Sequence, residues 1–390
     1  MASAPDATEV ADLSTLASRM VALGRRRIEV LAWRDLDDPE AGGSEVHADQ
    51  FMSRWAGAGL EVSHRTSAAA GRPARAVRHG YAVHRAGGRY DVFPRVIVGG
   101  ALGQRRFDAL VEIWNGVPWF SPVWCRRPSI TFLHHVHGPM WNQVLPGPLA
   151  AVGRTLEARI APPFYRRRLT LTGSEAIRAE LEHLGFPPAR LEVVPHGIEE
   201  DFSPGGDRST QPLVVCVGRL AHVKRQDLLI EAAAVARERV PDLRLMIIGD
   251  GPLRAHLEQR IVALGAGEWV QLAGRSSRAE LIDAYRRAWV VASASLAEGW
   301  GLTLTEAAAC GTPAVATDIA GHRSSVDDGV TGVLAPVDRL GDALADVLLD
   351  HGRRAALGVA ALSRASTLTW DLSARRILAA LLGEAERRSR

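Results

Sequence analysis

The sequence is short of cysteine, of lysine and of long hydrophobic runs. Its three cysteines, Cys125, Cys216 and Cys310, are widely spaced and odd in number, which argues against a disulfide framework and against a zinc site built from paired cysteines. No stretch approaches the roughly 18 apolar residues that a membrane-spanning helix needs. The first residues also lack the basic-then-apolar run of a signal peptide. We therefore expect a cytoplasmic protein with reduced thiols, whose contact with a membrane would be peripheral and at the inner face.

The chain also has no large excess of positive or negative charge. The chain has 47 basic residues, almost all of them arginine, and 44 acidic ones, and its net charge of +3 is too small to argue for nucleic acid as a partner. The segment Arg154–Arg168 mixes apolar side chains with arginines. This composition fits either an ordinary solvent-exposed surface or a surface that makes peripheral contact with anionic lipid. Pro162 and Pro163 are expected to break any long helix in it.

The length of 390 residues predicts two domains of about 150–200 residues each. Near the start, a buried strand at Ile28–Trp33 runs through the polar loop Asp35–Gly43 into a helix from Ser44 to Ala58. This strand–loop–helix unit is typical of the opening of a Rossmann-like domain. Further apolar runs predict parallel strands at Arg95–Val98, Ala109–Trp114 and Ser129–His134.

The second half alternates strands and helices more clearly. Strands are predicted at Leu213–Val217, Arg244–Ile248, Val270–Leu272, Trp289–Ala294 and Ala314–Ala316, and helices at Asp227–Arg239, Leu253–Leu264 and Ala279–Ala288. The fold class is therefore α/β, with two Rossmann-like doubly wound domains facing across a cleft where ligands bind. The predicted division is a tail and short helix at 1–24, a first domain at 25–203, a second at 204–368, and a final helical segment at 369–390.

The most informative segment carries two carboxylates, Glu298 and Glu306, with seven residues between them. Gly299 and Gly301 let the backbone approach a ligand without an intervening Cβ. A helix that starts near Leu302 directs free N–H groups toward the same space, which suits phosphate. From one turn inside that helix, Glu306 can accept two hydrogen bonds from a vicinal diol such as a ribose.

This segment resembles the E-x7-E signature of retaining glycosyltransferases of the GT-B fold, specifically glycosyltransferase family four. The resemblance covers most of the chain, from about Ile28 to Leu381, and includes Val217–Glu231, Ile248–Pro252 and Gly42–Glu45. It implies that the C-terminal half binds a nucleotide-sugar donor and the N-terminal half an acceptor. It also implies that the last helix crosses back onto the N-terminal domain.

The resemblance assigns roles to several residues of the second half. Arg219 and Lys224 would stabilise the departing diphosphate, a task that two cations in loops after a strand can perform. Glu298 and the backbone of Gly299, Trp300, Gly301 and Leu302 would hold the sugar hydroxyls. Glu306 would bind the ribose, and Arg275 would lie near the nucleotide base.

In the first half, the two-glycine loop Gly42–Gly43 by itself fits a plain flexible turn equally well. The resemblance places this loop against the donor and so favours a role in binding. Three histidines, His134, His135 and His137, follow a predicted strand. Neutral imidazoles bind zinc or iron, but no carboxylate or cysteine stands nearby at ligand spacing. In related enzymes a histidine at this point faces the transferred sugar and the acceptor. His135 is the first choice for that role, with His137 beside it and His134 as the alternative.

The pattern Asp35-Leu36-Asp37 matches the D-x-D motif of metal-dependent transferases of another fold. Because those enzymes lack the two-glutamate segment, we interpret it as a loop that leads into a helix. No metal and no cofactor are therefore expected. Neither half shows Gly-x-Gly-x-x-Gly after its first strand, which argues against a dinucleotide oxidoreductase.

The resulting hypothesis is a retaining transferase that moves a hexose from a nucleoside-diphosphate sugar, such as GDP-mannose or UDP-glucose, to a hydroxyl of a lipid, a glycan or a small molecule. The alternatives are a nucleotide-sugar epimerase or phosphorylase of the same fold, or a non-catalytic protein that binds sugar nucleotides.

Overall fold

The computed structural model describes residues 10–104 and 106–389, so the predicted tail lies outside the described residues over positions 1–9. The chain falls into two compact units. Unit 1 comprises the residues up to Gly197 together with those from Trp370 onward, and unit 2 comprises Ile198–Thr369. No helix among the described residues combines the length and apolar character that crossing a bilayer requires.

The elements of unit 1, up to the point where the chain leaves it, are α1 (Leu13–Ala22), β1 (Arg27–Leu31), α2 (Gly43–Gly57), β2 (Glu61–Thr66), β3 (Arg75–Arg78), β4 (Tyr81–Arg85), α3 (Val92–Ala101), β5 (Ala109–Trp114), α4 (Ser121–Trp124), β6 (Ser129–Leu133), α5 (Trp141–Val144), α6 (Gly147–Thr155), a π-helical turn (Leu156–Ile160), α7 (Ala161–Tyr165), β7 (Leu169–Thr172), α8 (Glu175–His183) and β8 (Leu191–Val193).

The elements of unit 2 are β9 (Leu213–Val217), α9 (Gln226–Arg237), β10 (Arg244–Ile248), α10 (Arg254–Ala263), β11 (Val270–Gly274), α11 (Arg278–Arg287), β12 (Val290–Ser293), α12 (Leu302–Ala309), β13 (Ala314–Thr317), α13 (Ala320–Ser325), β14 (Gly332–Ala335), α14 (Leu340–Leu349) and α15 (His351–Ala365). The chain then returns to unit 1 as α16 (Trp370–Ser389).

Unit 1 is built on an eight-stranded sheet in the order β3-β4-β2-β1-β5-β6-β7-β8. All neighbouring strands are parallel except β3, which pairs antiparallel with β4. The central strands β5 and β6 are buried at every position, as expected for a sheet covered on both faces. Helix α16 packs on α1 and α2, and the Trp55 indole donates a 3.0 Å hydrogen bond to the carbonyl of Ala374.

Unit 2 has a six-stranded, wholly parallel sheet in the order β11-β10-β9-β12-β13-β14. Counted from its first strand, this is the order 3-2-1-4-5-6 of a doubly wound dinucleotide-binding fold. Strands β10 and β11 extend the sheet from β9 toward one edge, and β12, β13 and β14 extend it toward the other. The strand order therefore reverses between the neighbouring strands β9 and β12. The rule for open α/β sheets places a ligand just outside the carboxyl ends of the two strands at such a reversal.

The sequence-based prediction was wrong at Arg95–Val98, which lies inside the helix α3 and is not a strand. Val92, Phe93 and Val96 are buried while Val98 is 55% exposed, so the apolar residues cover one face of a helix. The chain also stays helical from Gly147 to Tyr165 despite Pro162 and Pro163. Both prolines stand in the first turn of α7, directly after the π-helical turn.

Candidate active site

In unit 2, the loops after β9 and β12 bring Lys224 and Glu298 together. Lys224 ends a 3₁₀ turn that follows β9, and its Nζ donates to the carboxylate of Glu298. The Ser295 hydroxyl, two residues past the end of β12, donates a second hydrogen bond of 2.9 Å to Glu298 Oε1. Burial is the largest single influence and raises the pKa of Glu298. The ion pair and hydrogen bond with Lys224, with smaller contributions from His322 and Ser295, together hold that pKa below its ordinary value. A fixed cation and a fixed carboxylate thus lie at the topological reversal of the sheet.

The turn between Glu298 and α12 depends on glycine. Gly301 is the N-cap of α12 with a φ of +89°, and a Cβ there would lie 2.9 Å from the Ser325 hydroxyl. A Cβ on Gly321 would likewise lie 2.2 Å from the backbone oxygen of Glu298. The loop is therefore closely packed against α13, which carries both Gly321 and Ser325. The first turn of α12 carries amides with no intrahelical acceptor, which is the arrangement that binds phosphate in many proteins.

Glu306 lies one turn along α12, where it accepts a 3.0 Å hydrogen bond from the hydroxyl of Tyr285 on α11. Burial raises the pKa of this carboxyl to about 7, although the hydrogen bond from Tyr285 and the charge of Arg278 oppose that change. The carboxylate therefore exchanges its proton near neutral pH. Spacing alone did not point to Tyr285, because it is 21 residues away on another helix.

The other predicted residues of unit 2 occupy different environments. Arg219 is exposed in the loop after β9, and its carbonyl accepts a 3.0 Å hydrogen bond from the Gln226 amide. Arg275 is exposed after β11. Trp300 is buried, which makes its indole part of the support of the turn, while Gly299 and Leu302 are half-buried.

In unit 1, Gly42 and Gly43 are exposed at the start of α2. The amide of Gly42 donates a 2.7 Å hydrogen bond to Glu45 Oε2, so this amide is already engaged within the turn. Glu45 is buried, and its other carboxylate oxygen lies 3.6 Å from Arg34 Nε. The side chain of Asn115, directly after β5, donates a 3.2 Å hydrogen bond to the hydroxyl of Ser44. The beginning of α2 is therefore joined to the carboxyl end of the neighbouring strand.

The three predicted histidines separate into different environments. His134 is enclosed in the core, and its Nε2 lies 3.1 Å from Nδ1 of His47. His137 is also buried, with its ring stacked on Trp141. His135 is half-buried, and its ring stacks on that of His137 with centroids 4.3 Å apart. His135 is thus the most accessible of the three.

His47, His134 and His196 form the group of described residues whose side chains could offer three ligand atoms to a metal, all within 4.8 Å of one another. Burial lowers the pKa of each imidazole, so all three are neutral at pH 7. The rings pack against Phe132, and those of His47 and His196 also pack against Trp370. A hydrogen bond between His47 and His134 accounts for their short separation without an ion.

The carboxylates of the D-x-D pattern are neutralised by arginine. The buried Arg85 donates to Asp35 and to Asp37, and the latter hydrogen bond is 2.6 Å long. Arg78 lies 2.6 Å from Asp37 Oδ2 and 3.7 Å from Asp35 Oδ2. The pair therefore fixes the loop after β1, in keeping with its interpretation as a loop.

Two family models match consecutive parts of the chain, Glycosyltransferase Family 4 over residues 41–202 and Glycosyl transferases group 1 over residues 197–364. HepE of Anabaena, solved in complex with UDP and glucose, superposes with a TM-score of 0.70 at 18% identity, covering 90% of this chain and 98% of its own. The two Rossmann-like units thus have the GT-B fold of glycosyltransferases. The chain belongs to glycosyltransferase family four, as the sequence motifs predicted.

Curated relatives match over shorter stretches. A D-inositol 3-phosphate glycosyltransferase of Kribbella flavida is 39% identical over 222 residues, which are 50% of this chain and 51% of the relative. A GDP-mannose-dependent alpha-(1-6)-phosphatidylinositol monomannoside mannosyltransferase of Mycolicibacterium smegmatis is 37% identical over 195 residues, 45% of this chain and 51% of the relative. The chain spans about half the length of the curated relatives it matches.

Proposed function

We propose that the protein transfers a hexose from a nucleoside-diphosphate sugar to an acceptor hydroxyl with retention of the anomeric configuration. The observation that carries this proposal is the meeting of Lys224 and Glu298 at the reversal of the unit 2 sheet, next to the free amides of α12. The segment 298–306 supplies a helix N-terminus and two carboxylates, and Lys224 supplies a cation beside them. A cation and free amides suit a diphosphate, and carboxylates suit the hydroxyls of the sugar and the ribose that the diphosphate joins.

In this proposal, the donor is bound along the segment from Glu298 to Glu306. The diphosphate interacts with Lys224, with Arg219 and with the first turn of α12. Glu298 and the backbone of the glycine turn hold the sugar hydroxyls, and Glu306 accepts hydrogen bonds from the ribose. Arg275 contributes at the base, and the Gly42–Gly43 loop of unit 1 contributes to donor binding. His135 and His137 of unit 1 serve the transferred sugar and the acceptor.

The chemistry is a same-face substitution at the anomeric carbon. The bond from that carbon to the diphosphate oxygen breaks as the bond to the acceptor oxygen forms, and the leaving phosphate oxygen takes the acceptor proton. The transition state resembles an oxocarbenium ion next to a growing negative charge. The two cations and the helix amides stabilise that charge, and the residues assigned here need no metal for this step.

The names of the relatives suggest which donors and acceptors to test first. One relative is named for GDP-mannose and one neighbour was solved with UDP and glucose, so both nucleotides are candidates. Relatives named for D-inositol 3-phosphate and for a phosphatidylinositol mannoside suggest an inositol hydroxyl as the acceptor. We propose these as the first compounds to assay.

Thermal shift with UDP, GDP, UDP-glucose and GDP-mannose tests the donor proposal, with UMP and GMP as controls that lack the second phosphate. We expect one diphosphate series to raise the melting temperature by several degrees and the matching monophosphate to have little effect. Transfer is then assayed with D-inositol 3-phosphate, and the anomeric configuration of the product is determined by NMR. Inverted product, or release of free sugar that added acceptor does not change, would contradict a retaining transferase.

The helical segment of unit 1 from Gly147 to Tyr165 supports the proposal of peripheral contact with an anionic membrane. Four large apolar side chains of 46–62% exposure lie along residues 149–164, namely Leu149, Val152, Ile160 and Phe164. Between positions 140 and 168 the sequence has five arginines and one acid, Glu157, which is buried. Exposed apolar and cationic groups without an exposed acid are typical of surfaces that bind anionic lipid.

Co-sedimentation with vesicles tests this surface. We expect the protein to bind vesicles that contain phosphatidylglycerol, to bind phosphatidylcholine vesicles weakly, and to lose binding in Phe164→Asp. Val262→Asp is the matched control, because Val262 is a 79%-exposed apolar residue of unit 2. Equal binding of the two vesicle types would contradict the proposal.

A further inference from the structure

The loop that carries His135 is held by one buried carboxylate. Glu157 is 3% exposed and lies in the π-helical turn between α6 and α7. It accepts hydrogen bonds from the amides of His137 (2.8 Å) and Gly138 (2.9 Å), and a third of 3.1 Å from the Trp141 indole. One side chain thus gathers three donors from a loop that belongs to a different part of the chain.

The same loop is ordered by a stack of rings. His135 lies on His137, and His137 lies on Trp141 with centroids 4.8 Å apart. Trp141 in turn packs against Gly153 of α6, where a Cβ would lie 2.6 Å from the indole. The position of His135 therefore depends on that of Trp141, which Glu157 and Gly153 fix.

The chemistry of Glu157 suits this task. A carboxylate is the side chain that accepts several hydrogen bonds without offering a donor, so three donors can converge on it. Its burial is costly and is offset only while those donors are present. π-helical turns are rare and are frequent at functional sites. Here the turn directs Glu157 toward the loop.

We propose that Glu157 is a positioning residue for glycosyl transfer, acting through the loop 134–141 to hold His135 in place for the acceptor and the transferred sugar. This inference rests on the proposed function for the role of His135. Glu157 itself does not touch the substrate. Its loss should lower the rate of transfer while the donor, which is bound by unit 2, keeps its affinity.

The variant Glu157→Gln replaces one acceptor oxygen with a donor while the volume stays the same. We expect hydrogen exchange of the amides in the peptide 134–142 to become faster. We also expect kcat to fall roughly 10- to 100-fold, because small displacements of a reacting group have effects of this size. The affinity for UDP or GDP, whichever stabilises the wild type, should change less than about twofold since Glu157 and the donor belong to different units.

Glu112→Gln is the matched control. Glu112 is also buried and accepts from two amides, those of Trp119 (3.0 Å) and Ser121 (3.3 Å), and from the Tyr165 hydroxyl. Its loss should lower stability to a similar degree but speed exchange in the peptide 115–121. If neither Glu157 variant nor control folds, Trp141→Phe removes the indole donor and part of the ring stack while Glu157 keeps its two amide donors, and it should give the same pattern in weaker form.

A double-mutant cycle with His135→Ala separates positioning from general loss of structure. If Glu157 acts through His135, Glu157→Gln should reduce kcat strongly in the wild type and less than about twofold in the His135→Ala background. Additive effects, or unchanged exchange in the peptide 134–142, would overturn the inference. If His135→Ala keeps full turnover, the proposed role of His135 fails and the catalytic part of the inference fails with it, while the exchange data still measure whether Glu157 holds the loop.

Discussion

Replacing Lys224 by alanine is expected to lower turnover by about 10²–10³-fold, the usual effect of removing one group that stabilises transition-state charge. The binding of nucleoside diphosphates should weaken as well. Lys224 is the only lysine in the 390 residues, and the structure places its Nζ on the Glu298 carboxylate. Steady-state kinetics and calorimetry with UDP and GDP measure the two effects. Unchanged turnover would contradict the phosphate role.

Replacing Lys224 also removes the ion-pair partner of Glu298. Without Lys224, Glu298 becomes a largely buried carboxylate without its cation, and burial then raises its pKa. We expect a stability loss of roughly 1–3 kcal/mol, less than for a fully buried pair because the Lys224 side chain is 26% exposed. The loss should be larger at pH 8 than at pH 5, because a carboxyl with a raised pKa destabilises the fold as pH rises through that value.

A second substitution separates folding from catalysis. The double variant Lys224→Ala with Glu298→Gln removes both charges and should recover most of the lost stability, while turnover stays low because both residues belong to the proposed donor site. Arg260→Ala is the control for losing a cation in unit 2, because Arg260 pairs with Glu231 on the surface of α9 and α10. We expect that control to change turnover less than about twofold. Recovery of activity in the double variant would show that the single substitution had acted through the fold.

Replacing Glu306 by glutamine is expected to make the protein more stable and less able to bind nucleotide. Burial raises the pKa of Glu306 from its ordinary 4.5 to about 7. Between these values the folded state holds a proton that the unfolded state has released, so stability falls as pH rises from 4.5 to 7. Above pH 7 the wild type carries the full cost of a buried charge, and the glutamine variant does not. Denaturant unfolding at pH 8 should show a gain on the order of 1–2 kcal/mol, which shrinks toward pH 5.

The binding effect tests the ribose role directly. Hydrogen bonds from a diol to a carboxylate contribute about 1.5–3 kcal/mol each, so the variant should bind UDP or GDP roughly 10- to 100-fold more weakly. The preference of the wild type for a nucleotide over its 2′-deoxy form should increase as pH rises through 7. Glu306→Gln should lose both the preference and its pH dependence. Glu258→Gln, an exposed carboxylate paired with Arg254, serves as the control and should keep both.

The sequence predicted most of unit 2 but less of unit 1. Most strands of unit 2 are short apolar runs, and glycine follows β9 and β10 directly, so the hydrophobic pattern alone is informative there. β2 was missed because its buried positions are Val62, His64 and Thr66, so its alternation of buried and less buried residues is not an alternation of apolar and polar ones. Part of α3 was predicted to be a strand because residues 96–98 are consecutive apolar residues, which hid the one-sided pattern of a helix.

Within the candidate site, the sequence pointed to candidate residues but not to their structural partners. Gly301 and Glu298 stood out because glycine and carboxylate spacing within one loop is local information. Tyr285 supports Glu306 from α11, and Gly321 of α13 packs on the backbone of Glu298; only the fold brings those elements together. Glu157 was missed for the same reason, since its hydrogen-bond donors lie 16 to 20 residues earlier in the chain.

The central claim is that Lys224 binds the diphosphate of a donor nucleotide, and the scarcity of lysine allows it to be tested on one side chain. Reductive methylation modifies lysine amines, and mass spectrometry of the peptide that contains Lys224 follows its rate separately from that of the terminal amine. We expect UDP or GDP, whichever raises the melting temperature, to slow the modification of Lys224 by at least about tenfold at saturation, with little protection by the matching nucleoside. Modification at the same rate with and without saturating nucleotide would contradict the account.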